Sequence, residues 1–201
     1  MGRRRLLVAR RRRDEDHGSD RVPIDYEAWP FAARMAAARE RGQVRAWCVG
    51  LGVDPLSDAF TVEVLAGLLA GERGHVKGVL TQQSLIAGLG NAYSDEVLWE
   101  VGLSPFKPAR NLAADDVSRL HAAIVDTLRG AVGRAQGLAA KDLKSEKKSG
   151  LNVHGRTGLP CPRCGDTIRE VSFADKSLQY CATCQTGGKP LADRRLSKLL
   201  K

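Results

Sequence analysis

The stretch Gln83-Ser-Leu-Ile-Ala-Gly-Leu-Gly-Asn-Ala-Tyr-Ser-Asp-Glu-Val-Leu-Trp99 decides the fold. A short helical run from Gln82 or Gln83 to Ala87 breaks at Gly88 and Gly90. It restarts as an amphipathic segment with Asn91 near its start and Tyr93, Val97 and Leu98 on one face. Glycine enters the positive-φ region without the clash of a Cβ, so the backbone can turn twice here and leave N–H groups facing outward. Asp95 and Glu96 come early in the restarted helix, where the positive end of the dipole favours carboxylates. Outward amides at a helix start attract an anion, phosphate above all. A double-glycine turn is also an ordinary connector between helices, and the local pattern leaves both readings open. Lys77 upstream and Lys107 and Arg110 downstream add positive charge on either side.

Working outward, Pro55-Leu-Ser-Asp58 supplies a turn and a cap ahead of Phe60, Val64, Leu65, Leu68 and Leu69, which fall at helical spacing as far as Gly71. A second short helix is expected from His75 to Leu80, carrying Lys77. On the other side, Gly102 stops the central helix and Ser104-Pro-Phe-Lys-Pro108 is a rigid connector. A longer helix follows from about Ala113 to Arg134. Val117, Leu120, Ile124, Leu128 and Val132 form its apolar stripe, and Asp115 and Asp116 stand in its first turn. His121 beside that stripe reads as a packed or surface histidine. The lysine-rich segment from Gly137 to Gly150 reads as a mobile basic linker, and about seven helices are expected before the last module.

Residues 1 to about 47 differ from the rest, with twelve arginines, no lysine and seven acidic residues. They read as a largely disordered arm, given to non-specific nucleic-acid contact or to simple solvation, with a short helix over Phe31 to Arg41. Trp29, Phe31 and Trp47 read as packing contacts. The whole chain of 201 residues carries 32 basic and 23 acidic side chains, so polyanions are its natural partners. No apolar run is long enough to span a membrane and no secretory leader is recognisable, which points to a cytoplasmic protein.

Cys161-Pro-Arg-Cys164 and Cys181-Ala-Thr-Cys184 form two knuckles separated by sixteen residues. Two such knuckles close a tetrahedral site of four thiolates, the arrangement of one structural Zn2+, with no open position for a catalytic water. Thr167 to Phe173 and Ser177 to Tyr180 have strand character, with Ala174-Asp-Lys176 at the tip of the hairpin between them. Arg163, Arg169 and Lys176 decorate the hairpin, and Lys189, Arg194, Arg195, Lys198 and Lys201 follow it, a basic surface suited to a phosphate backbone. Cys48 stands outside the set as an ordinary thiol. The organisation expected is an arginine-rich arm over 1–50, a helical domain with its basic linker over 51–150, and a zinc finger with a basic tail over 151–201.

Leu56-Ser-Asp-Ala-Phe60, Val76-Lys77, Gln83 to Glu96, Ser104-Pro105, Val153-His-Gly-Arg156 and the module from Cys161 to Gln185 resemble the C-terminal half of the formamidopyrimidine-DNA glycosylase and endonuclease VIII family. The resemblance covers about residues 50 to 201. It implies a mainly α fold, a helix-two-turns-helix domain followed by a small four-cysteine zinc β-hairpin, which clasps damaged or abasic double-stranded DNA in base excision repair. It also implies phosphate contact by Asn91 of the Gly88-Leu-Gly90-Asn91 turn, with Lys77, Arg156 and Lys176 as further DNA-binding positions. Lys176 stands where the family has arginine, keeping the charge and losing the bidentate fork. His154 stands where many members have tyrosine.

Family enzymes begin with Pro-Glu on a β-sandwich domain, and this sequence begins Met1-Gly2-Arg3-Arg4. The expectation is therefore a monomeric DNA-binding protein, nucleoid-associated when bound, without that catalytic start and with no catalytic residue assigned. Three alternatives stand beside it. One is an active glycosylase and lyase using the Gly2 α-amine for Schiff-base chemistry. The others are a zinc-ribbon module that binds protein, and a product of truncation or a misassigned start.

Overall fold

The computed structural model describes residues 50–139, 142, 150–172 and 177–192. The arginine-rich arm with its expected helix, its aromatic residues and Cys48, nearly all of the lysine-rich linker, the hairpin tip with Lys176, and the basic tail from Arg194 onward lie outside the described residues.

α1 (Val62–Gly71) opens the helical domain and buries Leu65 and Leu69. Its cap is Thr61, whose hydroxyl accepts from the Val64 amide at 3.3 Å. The expected Asp58 cap is displaced because Pro55 to Asp58 form a separate turn. There the Asp54 carboxylate accepts from the Leu56 amide at 2.9 Å and the Asp54 carbonyl from the Ser57 amide at 3.0 Å. Val64, placed on the apolar face by spacing, is exposed. α2 (Val76–Leu80) is one short helix carrying Lys77.

The helix expected from Gln82 or Gln83 to Ala87 is a series of turns. The segment at Gly52 and Val53 runs alongside and takes its backbone groups: Gly52 N–H donates to Gln83 O at 2.9 Å, Val53 N–H to Leu85 O at 3.1 Å, and Ala87 N–H to Val53 O at 2.9 Å. A Cβ at position 52 would stand 2.1 Å from the Leu85 carbonyl oxygen, so only glycine lets the two backbones approach.

α3 (Asn91–Glu100) follows the glycine turn, and Ala92 to Trp99 are all buried along it, so it is an interior helix rather than a half-exposed one. A 3-10 turn (Ala109–Asn111) leads to α4 (Ala114–Ala135), with Asp115 and Asp116 in its first turn as expected. α4 buries Val117, Leu120, Ala123, Ile124, Leu128, Ala131 and Ala135; its stripe swings to the small Ala131 at the end, leaving Val132 half-buried. His121 is packed: its ring stacks on Phe60 with centroids 4.9 Å apart and its Nε2 lies 2.8 Å from the Phe60 carbonyl oxygen. Leu65, Leu69, Leu80, Ile86, Leu89, Val97, Leu98, Leu120 and Ile124 form one apolar core. Four α-helices and one 3-10 turn have their bounds among the described residues before the zinc module; of the expected helices the run before Gly88 is turns, and the one over Phe31 to Arg41 lies outside the described residues.

The last module is the two-stranded antiparallel hairpin of β1 (Ile168–Ser172) and β2 (Ser177–Cys181), in the register Ile168 opposite Cys181 through Ser172 opposite Ser177. A short α5 (Ala182–Thr186) closes it, ending on Gly187 at φ +60. No described helix is long and apolar enough to cross a membrane.

Candidate nucleic-acid interface and metal centre

The glycine turn is held by Gln83. Its side-chain oxygen accepts from the Gly88 amide at 2.8 Å and its side-chain nitrogen donates to the Leu89 carbonyl at 3.1 Å. Gly88 takes φ +79, which a Cβ would resist. Gly90 differs from the expectation of two positive-φ glycines: it sits at φ −91 in extended backbone as the N-cap of α3. A Cβ there would meet nothing within 4 Å. Neither backbone conformation nor internal packing therefore asks for glycine at position 90. With no side chain at the N-cap and no carboxylate in the first turn, the leading amides of α3 have no cap. The amide of Gly88, expected to join an outward cluster, is spent on Gln83.

Asp95 and Glu96, read from sequence as dipole partners, are interior carboxylates that join the helical domain to the zinc module. Asp95 Oδ1 accepts from Lys77 Nζ at 2.6 Å, while Oδ2 accepts from the Gln179 amide at 3.2 Å and lies 2.7 Å from His154 Nδ1. Glu96 receives three successive backbone amides, from Asn152 at 2.8 Å, Val153 at 2.9 Å and His154 at 2.8 Å. At the fifth and sixth positions of α3 they are past the reach of the dipole and face inward. The signal in the sequence was their place inside an otherwise apolar helix face.

Lys77 is 8% exposed, and its ammonium donates to Asn91 O at 2.7 Å, Ser94 Oγ at 2.7 Å and Asp95 Oδ1. Three donors meet three acceptors, so the group expected to contact phosphate is committed inside the protein. Burial draws its pKa down, with Asp95 opposing that shift. Asn91 is half-buried and its side-chain amide donates to Ser177 O at 2.7 Å, placing the start of α3 against the start of β2. Arg156, two residues after His154, is half-buried, and its Nε is buried without a partner among the described residues. Arg163 lies at the surface yet is engaged by the end of α3: it donates to Trp99 O at 2.9 Å, Glu100 O at 3.2 Å and Glu100 Oε2 at 2.9 Å. It stays exposed, as do Arg169 and Arg110, but its guanidinium is held by these acceptors.

The four sulfurs of Cys161, Cys164, Cys181 and Cys184 all lie within 4.8 Å of one another. Zn–S bonds of about 2.3 Å at tetrahedral angles put sulfurs about 3.8 Å apart. The Cys161–Cys184 separation of 3.9 Å and the Cys164–Cys181 separation of 3.4 Å fit one zinc ion held by these four thiolates. As thiols the residues are unequal. Burial pushes Cys161 up, but the backbone amides of Cys164 and Arg163 and the Trp99 indole outweigh it and bring the thiol to about 6. Burial and neighbouring thiols push Cys181 to about 11 and Cys184 higher still. Asp166 ties the two knuckles, accepting from the Thr183 hydroxyl at 2.8 Å and the Thr167 amide at 2.7 Å.

Residues 51–142 match the H2TH domain of formamidopyrimidine-DNA glycosylase, and residues 158–187 match the zinc finger found in FPG and IleRS. The chain is 59% identical over 151 residues to an uncharacterized formamidopyrimidine-DNA glycosylase-like protein of Mycobacterium tuberculosis, a match covering 75% of this chain and 94% of that one. It is 41% identical over 140 residues to the formamidopyrimidine-DNA glycosylase of Roseiflexus sp., covering 67% of this chain and 51% of the enzyme. The chain thus spans about half the length of the glycosylases it matches. Among solved structures, the MutM (Fpg) protein of Thermus thermophilus superposes with a TM-score of 0.62 at 33% identity, over 76% of this chain and 58% of that one. The Lactococcus lactis Fpg in complex with abasic-site DNA superposes at 0.61 and 29% identity, over 68% and 52% of the two chains.

Proposed function

The chain belongs to the formamidopyrimidine-DNA glycosylase family, and we propose that it binds damaged or abasic duplex DNA by seating a backbone phosphate at the start of α3. The observation that carries this reading is Gly90, exposed, in ordinary extended backbone, with open space where a Cβ would stand and uncapped amides beyond it. A glycine that the fold does not need leaves room for a phosphate to approach those amides. The Asn91 side-chain amide has a second N–H to give beyond the one held by Ser177. Arg156 supplies a cation whose Nε has no partner among the described residues, and Lys176 immediately precedes in sequence the strand whose first residue Asn91 holds. A net charge of +9 favours association with a polyanion.

In this reading Lys77 does not touch DNA; it fixes the Asn91 carbonyl and so the helix start. The protein acts as a monomer in the cytoplasm, associating with the nucleoid through DNA, and needs no base-excision chemistry to hold its site. The test is a gel assay of the zinc-loaded protein on duplexes carrying an abasic site or 8-oxoguanine, scoring shift and strand cleavage together. A shift that weakens steeply with salt, without cleavage, is the expected result. No shift at low salt overturns the binding reading, and cleavage that copurifies with the protein overturns the non-catalytic one.

A further inference from the structure

The metal centre is tied to α3 by a contact that the cysteine spacing does not suggest. Trp99 Nε1–H donates to Cys161 Sγ at 3.4 Å, with both residues buried. An indole nitrogen can only donate, and a thiolate is the acceptor it meets. Arg163, from the knuckle between Cys161 and Cys164, lies over the Trp99 ring with its Cζ 4.2 Å from the centroid. Its guanidinium also takes the carbonyls of Trp99 and Glu100 at the end of α3. Trp99, Val153, Cys161, Ile168 and Cys181 form one apolar cluster, so the ring is walled in beside the ligands.

We infer that Trp99 is a positioning residue of the zinc centre. Its N–H stabilises negative charge on the Cys161 sulfur and fixes the direction in which that sulfur faces the ion. Arg163, clamped on the same ring, makes metal occupancy and the placement of the C-terminal end of α3 a single event. The inference stands on the metal centre and is independent of whether the glycine turn holds DNA. Hydrogen-bond partners of ligand atoms change metal affinity by about 10–100-fold when removed, and that is the loss expected for Trp99→Phe. Phenylalanine keeps an aromatic ring beneath Arg163 and removes the donor together with the second ring of the indole.

The decisive experiment uses the full chain carrying Trp29→Phe and Trp47→Phe, leaving a single indole, labelled with 15N and loaded with 113Cd. A scalar coupling between 113Cd and the Trp99 Hε1 proton, transmitted through the Cys161 sulfur, is expected; its absence in the folded, metal-bound protein overturns the inference. In the Co2+ form, Trp99→Phe should move the sulfur-to-metal charge-transfer band to longer wavelength, because the sulfur lone pairs rise when the donor is lost. It should also lose the metal to a competing chelator at about 10–100-fold lower chelator concentration. An unchanged band with unchanged affinity overturns the role. Should Trp99→Phe fail to fold, the coupling measured with Trp99 in place decides alone.

Discussion

Lys77 Nζ stands 2.6 Å from Asp95 Oδ1, and the Asp95 side chain has no exposed surface. An ion pair this deep is worth little against an apolar replacement of both partners, but removing one partner strands the other charge. Lys77→Met is therefore expected to cost about 3–5 kcal/mol in urea unfolding. A single-variant loss below about 1 kcal/mol would show that the pair is not buried in solution.

Glu96 serves three backbone amides at once. Glu96→Gln keeps the shape and gives up the charge and one acceptor, at an expected cost of about 1.5–3 kcal/mol. Hydrogen exchange at Asn152, Val153 and His154 should accelerate while the α4 amides stay protected. Uniform acceleration across both modules would contradict this assignment.

Gly90→Ser separates stability from binding. A serine at the N-cap gains a few tenths of a kcal/mol by capping the first-turn amides. The same hydroxyl occupies the donors proposed for phosphate and narrows the approach. The variant should unfold at slightly higher urea and bind duplex DNA more weakly, and tighter or equal binding would refute the phosphate seat. Arg156→Gln, by contrast, should reduce the salt slope of binding by about 1.

Zinc uptake should release protons. Cys181, pushed to about 11, and Cys184, higher still, are protonated at neutral pH and must ionise to bind the ion. Calorimetry in buffers of different ionisation enthalpy should report at least about two protons released per ion at pH 7. Affinity should accordingly fall as the pH is lowered; a pH-independent affinity would mean that the sulfurs are already ionised by their surroundings.

Asp116 accepts from Lys107 Nζ at 2.6 Å, and Lys107 holds its carboxyl below the ordinary carboxylate range despite a partial opposing effect of burial. A depressed carboxyl contributes stability that is present above its unfolded pKa, about 3.9, and is lost as the pH falls through the lower folded value. The pair is partly exposed, so the contribution is small. Lys107→Met should raise the Asp116 titration midpoint followed by carboxyl 13C shifts, with Arg119 limiting the rise.

Elements whose apolar residues face one core were legible in the sequence: α2, α4 and the hairpin appear within a residue or two of their expected limits. The four-cysteine site was legible because ligand spacing is local. What escaped was set by segments distant in sequence. The run before Gly88 has helical composition, yet Gly52 and Val53 take its backbone groups. Asp95 and Glu96 looked like helix-start carboxylates because their partners lie some sixty to eighty positions downstream. Lys77 looked like a surface cation because composition records a charge and not the acceptors folded against it. Asn91 alone was placed correctly at the start of its helix while its contact with Ser177 remained unseen.

α3 serves both modules, giving Asp95 to His154 and to Gln179 of β2, Glu96 to the loop before the knuckles, and its last carbonyls to Arg163. The zinc finger of this chain is for that reason not a detachable part. A finger grafted onto this helical domain would have to bring donors for its two carboxylates and a cation for its helix end, a seam that neither domain boundary marks.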